Sequence, residues 1–232
     1  MIVPVNKRLK EREQKVSMNI AIVNEISTAN KNAAILEAIN GFGHQIYNLG
    51  MKSDQESPVL TYIETGFIAA LALNSGMVDM VIGGCGTGQG FINSVMQYPG
   101  VFAGLVLEPL DALLFMQIND GNCISLALNK GYGWAGEKNL EFISEKLFSG
   151  IPGQGYPKQR RESQEKSRYK LKEISGITHI EFSDIVQRIS EDILRNSLQN
   201  SEVACFVRKI EASKPELYQS IEQRCCSAGI QF

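Results

Sequence analysis

Short apolar runs separated by longer amphipathic stretches dominate the pattern of residues 19–148. The run at 80–82 has no polar break, which is typical of a strand buried on both faces of a sheet. The stretches between runs place apolar residues three and four positions apart, which predicts helices. Strands and helices that alternate in this way predict an α/β protein with a doubly wound five-stranded parallel sheet. The predicted strands are 19–23, 44–48, 79–82, 101–107 and 123–128, and the predicted helices are 29–40, 58–74, 88–95, 109–119, 137–148, 183–197 and 214–227.

The pattern divides the chain into four parts. Residues 1–17 form a charged N-terminal extension without the apolar segment of a secretory signal. Residues 18–150 form the main domain, and residues 151–172 are glycine-rich and then basic, which predicts a loop or linker. An alternative is that Arg160 or Arg161 in this run reaches an anion, including one bound by a neighbouring subunit. Residues 173–232 predict a small, mostly helical C-terminal extension.

A glycine-rich segment follows the third predicted strand directly. Five glycines fall within the eight positions 83–90, together with Cys85 and Thr87. Glycines leave backbone N–H groups uncovered, and the start of the next helix stabilises negative charge. A thiol at such a place is favoured in its thiolate form. The segment therefore predicts a base or nucleophile beside an anion-binding loop, although glycines can also serve close packing and a single Cys can be a small apolar residue.

Composition and missing motifs exclude several other classes. The loop matches neither the dinucleotide fingerprint nor the phosphate-binding P-loop. A formal net charge of −2 argues against a general nucleic-acid binder. The longest apolar stretch, 67–73, is far shorter than the roughly eighteen residues of a membrane span. The five cysteines form no CxxC pair, so we expect free thiols in a reducing cytoplasm and no metal site.

Parallel sheets bind ligands beyond the carboxyl ends of their strands. In this chain that rule brings four loops together, at 24–28, 83–90, 108–111 and 129–134. Their polar side chains are those of Asn24, Glu25, Cys85, Thr87, Glu108, Asp111, Asn129 and Lys130.

Four blocks of the sequence resemble the family of type-B ribose-5-phosphate isomerases and galactose-6-phosphate isomerases, over about residues 18–161. The resemblance implies a Rossmann-like sheet, a homodimer or homotetramer with shared active sites, and a small-molecule sugar or sugar phosphate as substrate. It also implies aldose–ketose isomerisation through a cis-enediolate without a cofactor. The blocks are Gly84–Ile92, Pro99-Gly100, Glu108-Pro109 and Asn119-Asp120-Gly121-Asn122.

By position, the resemblance makes Cys85 the proton-abstracting base. Some relatives use a Glu in the loop as the base, but Gln89 stands at that position here. The anion hole would be formed by the loop, with Thr87 bonding substrate oxygens or relaying a proton. The remaining substrate-binding and anion-binding candidates are Glu25, Gly86, Gly88, Gly90, Asn119 and Arg160.

The chain also departs from the family pattern. Ile26 and Ile118 stand where the family has histidines, one of which is associated with opening the sugar ring. Basic residues expected near the substrate are fewer as well. The chain resembles a divergent branch with a C-terminal extension, some of whose members look like isomerases of unphosphorylated, uronate-derived sugars. Two alternatives therefore remain: a ketol-isomerase of an unphosphorylated sugar or deoxy-ketouronate, and a catalytically degenerate sugar-binding protein.

Overall fold

Five apolar runs form a single parallel sheet in the computed structural model, which describes residues 17–232. The sheet order is β2-β1-β3-β5-β4, and every neighbouring pair is parallel. The central strand β3 is buried along its whole length, which accounts for its unbroken apolar run. The predicted α/β fold is confirmed. The strands are β1 (Asn19–Asn24), β2 (Gln45–Asn48), β3 (Met80–Cys85), β4 (Ala103–Val106) and β5 (Cys123–Ala127).

Helices cover both faces of the sheet. One apolar cluster joins the first face to α1, α4 and α5, and a second joins the other face to α2, α3 and the C-terminal helices. The predicted N-terminal extension, 1–17, lies outside the described residues apart from Ser17. The helices are α1 (Asn32–Ile39), α2 (Tyr62–Asn74), α3 (Gln89–Val95), α4 (Pro109–Leu114), α5 (Gly136–Leu147), α6 (Arg161–Thr178), α7 (Phe182–Arg188), α8 (Glu191–Gln199), α9 (Ser201–Ser213) and α10 (Pro215–Ala228).

Two predicted helix starts were wrong. Helix α2 begins at Tyr62 and not at Pro58, because Thr61 and Glu64 form a capping box in which each side chain bonds the other's backbone. The first helix is preceded by a 3-10 turn, Ile26–Lys31, whose N-cap is Glu25.

The predicted basic loop over 151–172 is wrong from Arg161 onwards, where α6 begins. The segment is rich in Glu, Lys, Arg and Gln, which are good helix formers. No residue of α6 is buried. Arg168 connects the helix to the main domain, because its Nη1 donates a hydrogen bond to the carbonyl of Ile118 at 2.9 Å.

The C-terminal helices pack directly on the main domain. Phe182 of α7 lies against Phe67 of α2, with ring centroids 5.7 Å apart. Helix α2 is buried on all sides from Glu64 to Ala72, which explains why its sequence is apolar around its whole circumference. The predicted single helix over 183–197 is instead two helices with extended backbone at Ile189. Helix α9 was not predicted.

Candidate active site

The carboxyl ends of β1 and β3 meet where the strand order changes direction, since β2 and β3 lie on opposite sides of β1. Such switch points are the usual ligand sites of parallel sheets. Asn24 is in register with Gly84, and the N–H of Glu25 donates to the carbonyl of Gly84 at 3.3 Å. The first loop and the glycine loop therefore lie side by side, as the sequence predicted.

Close packing accounts for part of the glycine content. A Cβ on Gly83 would collide with the ring of Phe91, and a Cβ on Gly84 would lie 2.5 Å from the carbonyl oxygen of Leu126. Gly88 has φ +76, in the left-handed region. The packing alternative is thus correct for these three glycines, and it leaves Gly86 and Gly90 to be explained.

Gly86 and Gly90 face side chains from other segments, and at Gly90 the approach is again too close for a Cβ. A Cβ on Gly86 would lie 3.3 Å from Nδ2 of Asn129 and 3.5 Å from Oγ of Ser27. A Cβ on Gly90 would lie 2.9 Å from the ring of Tyr62. Sequence reasoning placed the loop 24–28 in the crevice but did not single out Ser27 within it. It missed Tyr62, which lies outside the four predicted loops.

The carbonyl oxygens of the glycine loop accept hydrogen bonds from β5 and from the loop that follows it. Gly86 O accepts from the N–H groups of Asn129 at 3.0 Å and Lys130 at 2.8 Å, and Cys85 O accepts from Leu128 N–H at 3.0 Å. Gly88 O accepts from Ser125 Oγ at 2.6 Å. With these oxygens occupied, the loop can direct N–H groups away from the sheet, which is the polarity an anion requires.

The loop N–H groups are only partly occupied. That of Gly88 donates to Cys85 O at 3.3 Å, and that of Gln89 donates to Oγ1 of Thr87 at 3.3 Å. Outside the helices and strands of residues 17–232, no backbone acceptor bonds the N–H of Gly86, Thr87 or Gly90. Thr87 is exposed, so its hydroxyl is open to a ligand.

Cys85 ends β3 with its side chain 5% exposed and belongs to the apolar cluster that includes Val81 and Phe91. The thiol is thus at the inner end of the loop and is not openly accessible to solvent. A second thiol, Cys123, is fully buried, and burial raises the pKa of that thiol. Cys123 is therefore held protonated and unreactive.

Glu25 is a buried carboxyl group, 6% exposed, beside the glycine loop. Its Oε2 accepts from the N–H of Ser27 at 3.1 Å, and its Oε1 accepts from the Ser27 hydroxyl. The preceding Asn24 is also buried, and its Nδ2 donates to the carbonyls of Thr28 at 3.1 Å and Met51 at 2.9 Å. This network fixes the backbone of the first loop.

The other two crevice loops contribute differently. Asp111 accepts from the N–H groups of Leu107 at 2.9 Å and Glu108 at 3.2 Å, so this acidic pair caps α4. After β5, Lys130 and Tyr132 border a cavity of about 180 Å³. Cys85 is not among the residues that line this cavity, which lies on the α5 side of the sheet.

Asn119 and Arg160 do not approach Cys85 within one chain. Cys85 is in register with Ala127. Asn119 precedes the opposite end of β5, and that strand alone spans about 13 Å. Arg160 is exposed and follows a loop whose Gly153 N–H donates to the carbonyl of Met116 at 2.9 Å, next to Asn119. Both residues therefore lie at the amino edge of the sheet.

Comparison with known proteins gives a consistent result. A family model described as Ribose/Galactose Isomerase matches residues 20–151. A ribose-5-phosphate isomerase from Vibrio parahaemolyticus is 37% identical, with a TM-score of 0.83, and the match covers 90% of this chain and 99% of that one. A 4-deoxy-L-threo-5-hexosulose-uronate ketol-isomerase, complexed with a tartrate, is 34% identical, with a TM-score of 0.78, and the match covers 84% of this chain and 100% of that one.

A type-B ribose 5-phosphate isomerase from Leishmania infantum shares the fold at 19% identity, with a TM-score of 0.58, and the match covers 69% of this chain and 97% of that one. No curated protein matches the sequence. Among the described residues, no helix combines the length and the apolar character needed to cross a membrane.

Proposed function

Because the chain belongs to the ribose/galactose isomerase family, a family of sugar isomerases, we propose that it interconverts an aldose and a ketose sugar phosphate through a cis-enediolate. Cys85 is the base in this proposal, and the loop from Gly86 to Gly90 is the anion hole. The observation that carries it is the polarity of the loop next to Cys85. Its carbonyl oxygens accept hydrogen bonds from the protein, while outside the helices and strands of residues 17–232 the N–H groups of Gly86, Thr87 and Gly90 have no backbone acceptor.

The reaction moves one proton between neighbouring carbons. The thiolate of Cys85 takes the proton from the carbon next to the carbonyl, and the electron pair of that C–H bond passes to the carbonyl oxygen. The loop N–H groups bind the resulting oxyanion; losing one such donor typically costs about 10²–10³ in rate. Cys85 then returns the proton to the former carbonyl carbon, while the hydroxyl proton on the neighbouring carbon moves to the former carbonyl oxygen and the new carbonyl group forms. Thr87 bonds the substrate oxygens, and the scheme requires no metal or organic cofactor.

The position of Cys85 suits a carbanion reaction. A nearly buried thiol at the end of a strand keeps bulk water from the carbon that loses its proton. Burying a thiolate is unfavourable in an apolar cluster, and the neighbouring loop N–H groups offset that cost.

We further propose a homodimer or homotetramer with shared active sites. Asn119 and Arg160 can serve the Cys85 site only if they come from another copy, because both lie at the opposite edge of the sheet in their own chain. Helix α6, which follows Arg160, exposes three apolar side chains on one face: Leu171, Ile174 and Ile177. Such a face is suited to contact with a second copy.

A second candidate substrate is an unphosphorylated ketouronate. The similarity to the ketol-isomerase covers that entire protein. Within the described residues, His44 lies just before β2 and His179 follows α6, so neither lies at the carboxyl ends of β1 and β3. A substrate whose carbonyl is already open needs no ring-opening histidine.

The test compares the protein with its Cys85→Ala variant on ribose 5-phosphate and on 4-deoxy-L-threo-5-hexosulose uronate in D₂O. We expect one of the two sugars to be isomerised, and Cys85→Ala to lower both isomerisation and exchange of the substrate's α-proton by about 10²–10⁴. Cys205→Ala, which removes an exposed thiol on α9, is the matched control and should leave both rates unchanged.

Two outcomes contradict the proposal. Undiminished α-proton exchange in Cys85→Ala removes Cys85 from the role of base. Binding of these sugars without turnover by the unmodified protein selects the alternative of a degenerate sugar-binding protein.

A further inference from the structure

A serine hydroxyl and a buried carboxylate are paired beside the candidate site. The hydroxyl of Ser27 donates to Oε1 of Glu25, while the N–H of Ser27 donates to Oε2 at 3.1 Å. Ser27 is exposed and Glu25 is 6% exposed. The hydroxyl is thus the end of the pair that a substrate can reach, and the carboxylate is the end that is shielded.

The pair is fixed in position relative to the glycine loop. Glu25 N–H donates to the carbonyl of Gly84 at 3.3 Å, Ile26 N–H to that of Leu60 at 2.9 Å, and Nδ2 of Asn129 to the carbonyl of Ser27 at 3.0 Å. Three separate segments therefore hold one short turn. As a result Ser27 Oγ lies 3.5 Å from the Cβ position of Gly86, the first glycine of the anion hole.

Capping alone does not account for Glu25. An N-cap needs one acceptor for a backbone N–H, which the shorter side chains of Ser, Thr, Asp and Asn supply best. A carboxylate buried without a cation is costly, and no ion pair of residues 17–232 includes Glu25. A second hydrogen bond, to the one exposed hydroxyl of the turn, points to use in proton transfer.

We propose that Ser27 and Glu25 relay the hydroxyl proton of the substrate during the isomerisation, an inference that rests on the proposed function. At the enediolate stage the substrate's hydroxyl gives its proton to Ser27 Oγ as the Ser27 hydroxyl gives its own proton to Glu25. The reverse transfer delivers a proton to the former carbonyl oxygen and restores the carboxylate. Cys85 transfers the carbon-bound proton and the Ser27–Glu25 pair transfers the oxygen-bound proton, so no other reactant is needed.

Thr87 is less suited to this relay. Its Oγ1 accepts from the N–H of Gln89 at 3.3 Å, and none of the side-chain hydrogen bonds of the described residues joins it to a carboxylate. Ser27 touches substrate in this scheme and is the catalytic residue. Glu25 acts through Ser27 and is the positioning residue that receives the proton.

Transfer of the carbon-bound proton and transfer of the oxygen-bound proton can be measured separately in D₂O. The substrate is whichever of ribose 5-phosphate and 4-deoxy-L-threo-5-hexosulose uronate the unmodified protein isomerises. An enediolate that cannot move its hydroxyl proton returns to the starting sugar, carrying deuterium. We expect Ser27→Ala to lower isomerisation by about 10²-fold while α-proton exchange stays within a few-fold of the original rate. Ser27→Thr keeps a hydroxyl and should restore isomerisation, and Glu25→Gln should show the same split as Ser27→Ala.

The matched control is Thr28→Val in the same turn, where the hydroxyl bonds only the backbone carbonyl of Glu25, at 2.9 Å. Its ratio of isomerisation to exchange should equal that of the unmodified protein. An unchanged ratio in Ser27→Ala overturns the relay, whether both rates keep their original values or both fall equally. An equal fall would make the turn purely structural. Failure of the proposed function is distinguishable, since it would appear as undiminished exchange in Cys85→Ala or as no turnover of either sugar by the unmodified protein.

Discussion

Gly88 has a backbone conformation that only glycine adopts without strain, at φ +76. A Cβ there would lie 2.6 Å from Cδ1 of Leu105 and 3.2 Å from the carbonyl oxygen of Leu126. We expect Gly88→Ala to lower the free energy of unfolding by about 1–3 kcal/mol and to reduce kcat by shifting the loop N–H groups. Urea unfolding and steady-state kinetics measure the two effects.

Gly76 is a matched control for Gly88. It has a similar φ of +72 but no heavy atom within 4 Å of its Cβ position. Gly76→Ala should therefore cost less stability and leave kcat unchanged. Equal losses in the two variants would show that strain in φ, and not the approach of Leu105 and Leu126, is what requires glycine at position 88.

Among the elements, α7 makes the clearest contact between the C-terminal extension and the sheet. Phe182 is 3% exposed, and its ring centroid lies 5.7 Å from that of Phe67 and 6.0 Å from that of Tyr98. We expect Phe182→Ala to lower the free energy of unfolding by about 3–5 kcal/mol, because it leaves a cavity against α2. Urea unfolding should show a single transition, since the extension and the sheet share one apolar cluster.

Phe142→Ala on α5 tests the same substitution where the ring is half exposed. It should lower the free energy of unfolding clearly less than Phe182→Ala does. If Phe182→Ala instead produced two transitions, with the sheet unfolding at its original urea concentration, the extension would be an independent unit.

The sequence predicts elements well where burial imposes a pattern. The buried strands follow from apolar runs such as that of β3, whereas the edge strand β2 has polar residues at both ends. The meeting of Glu25 with the glycine loop follows from a parallel sheet. Helix α6 was not predicted over 161–172, because the glycine-rich start and the basic run of that segment indicated a loop, and no residue of the helix is buried. The Thr61–Glu64 capping box correctly indicates the start of α2, whereas Pro58 led to a predicted start four residues too early.

The candidate site was predictable only where it is continuous along the chain. Cys85 and Thr87 lie within the glycine loop and could be found from it. Ser27 and Tyr62 meet that loop only across Gly86 and Gly90, through contacts that depend on how separate segments pack. Asn119 came from resemblance alone, and Arg160 from resemblance together with the basic run. Their place at the opposite edge follows from strand direction, which motif matching does not consider.

At the scale of the whole molecule, sharing of active sites can be tested by mixing two impaired variants. Cys85→Ala and Arg160→Ala should each be poorly active on a sugar phosphate. In a hybrid dimer one site combines the intact Cys85 of one copy with the intact Arg160 of the other. After unfolding and refolding an equal mixture, we expect about a quarter of the original activity, because half of the dimers are hybrids with one working site.

The same variants refolded separately are the control and should stay impaired. No gain of activity on mixing, with hybrids present by mass spectrometry, would show that the two residues do not serve one site across two copies. If Arg160→Ala affects turnover of the sugar phosphate and of the ketouronate equally, the phosphate assignment is contradicted.

The covering of α2 by α7–α10 has a consequence for higher-order assembly. That helix is enclosed by its own chain from Glu64 to Ala72, so no other copy can pack against it. A second copy on that side of the sheet would meet the outer surfaces of α7–α10 and not α2. For the proposed contact between copies, the exposed apolar face of α6 is available where α2 is not.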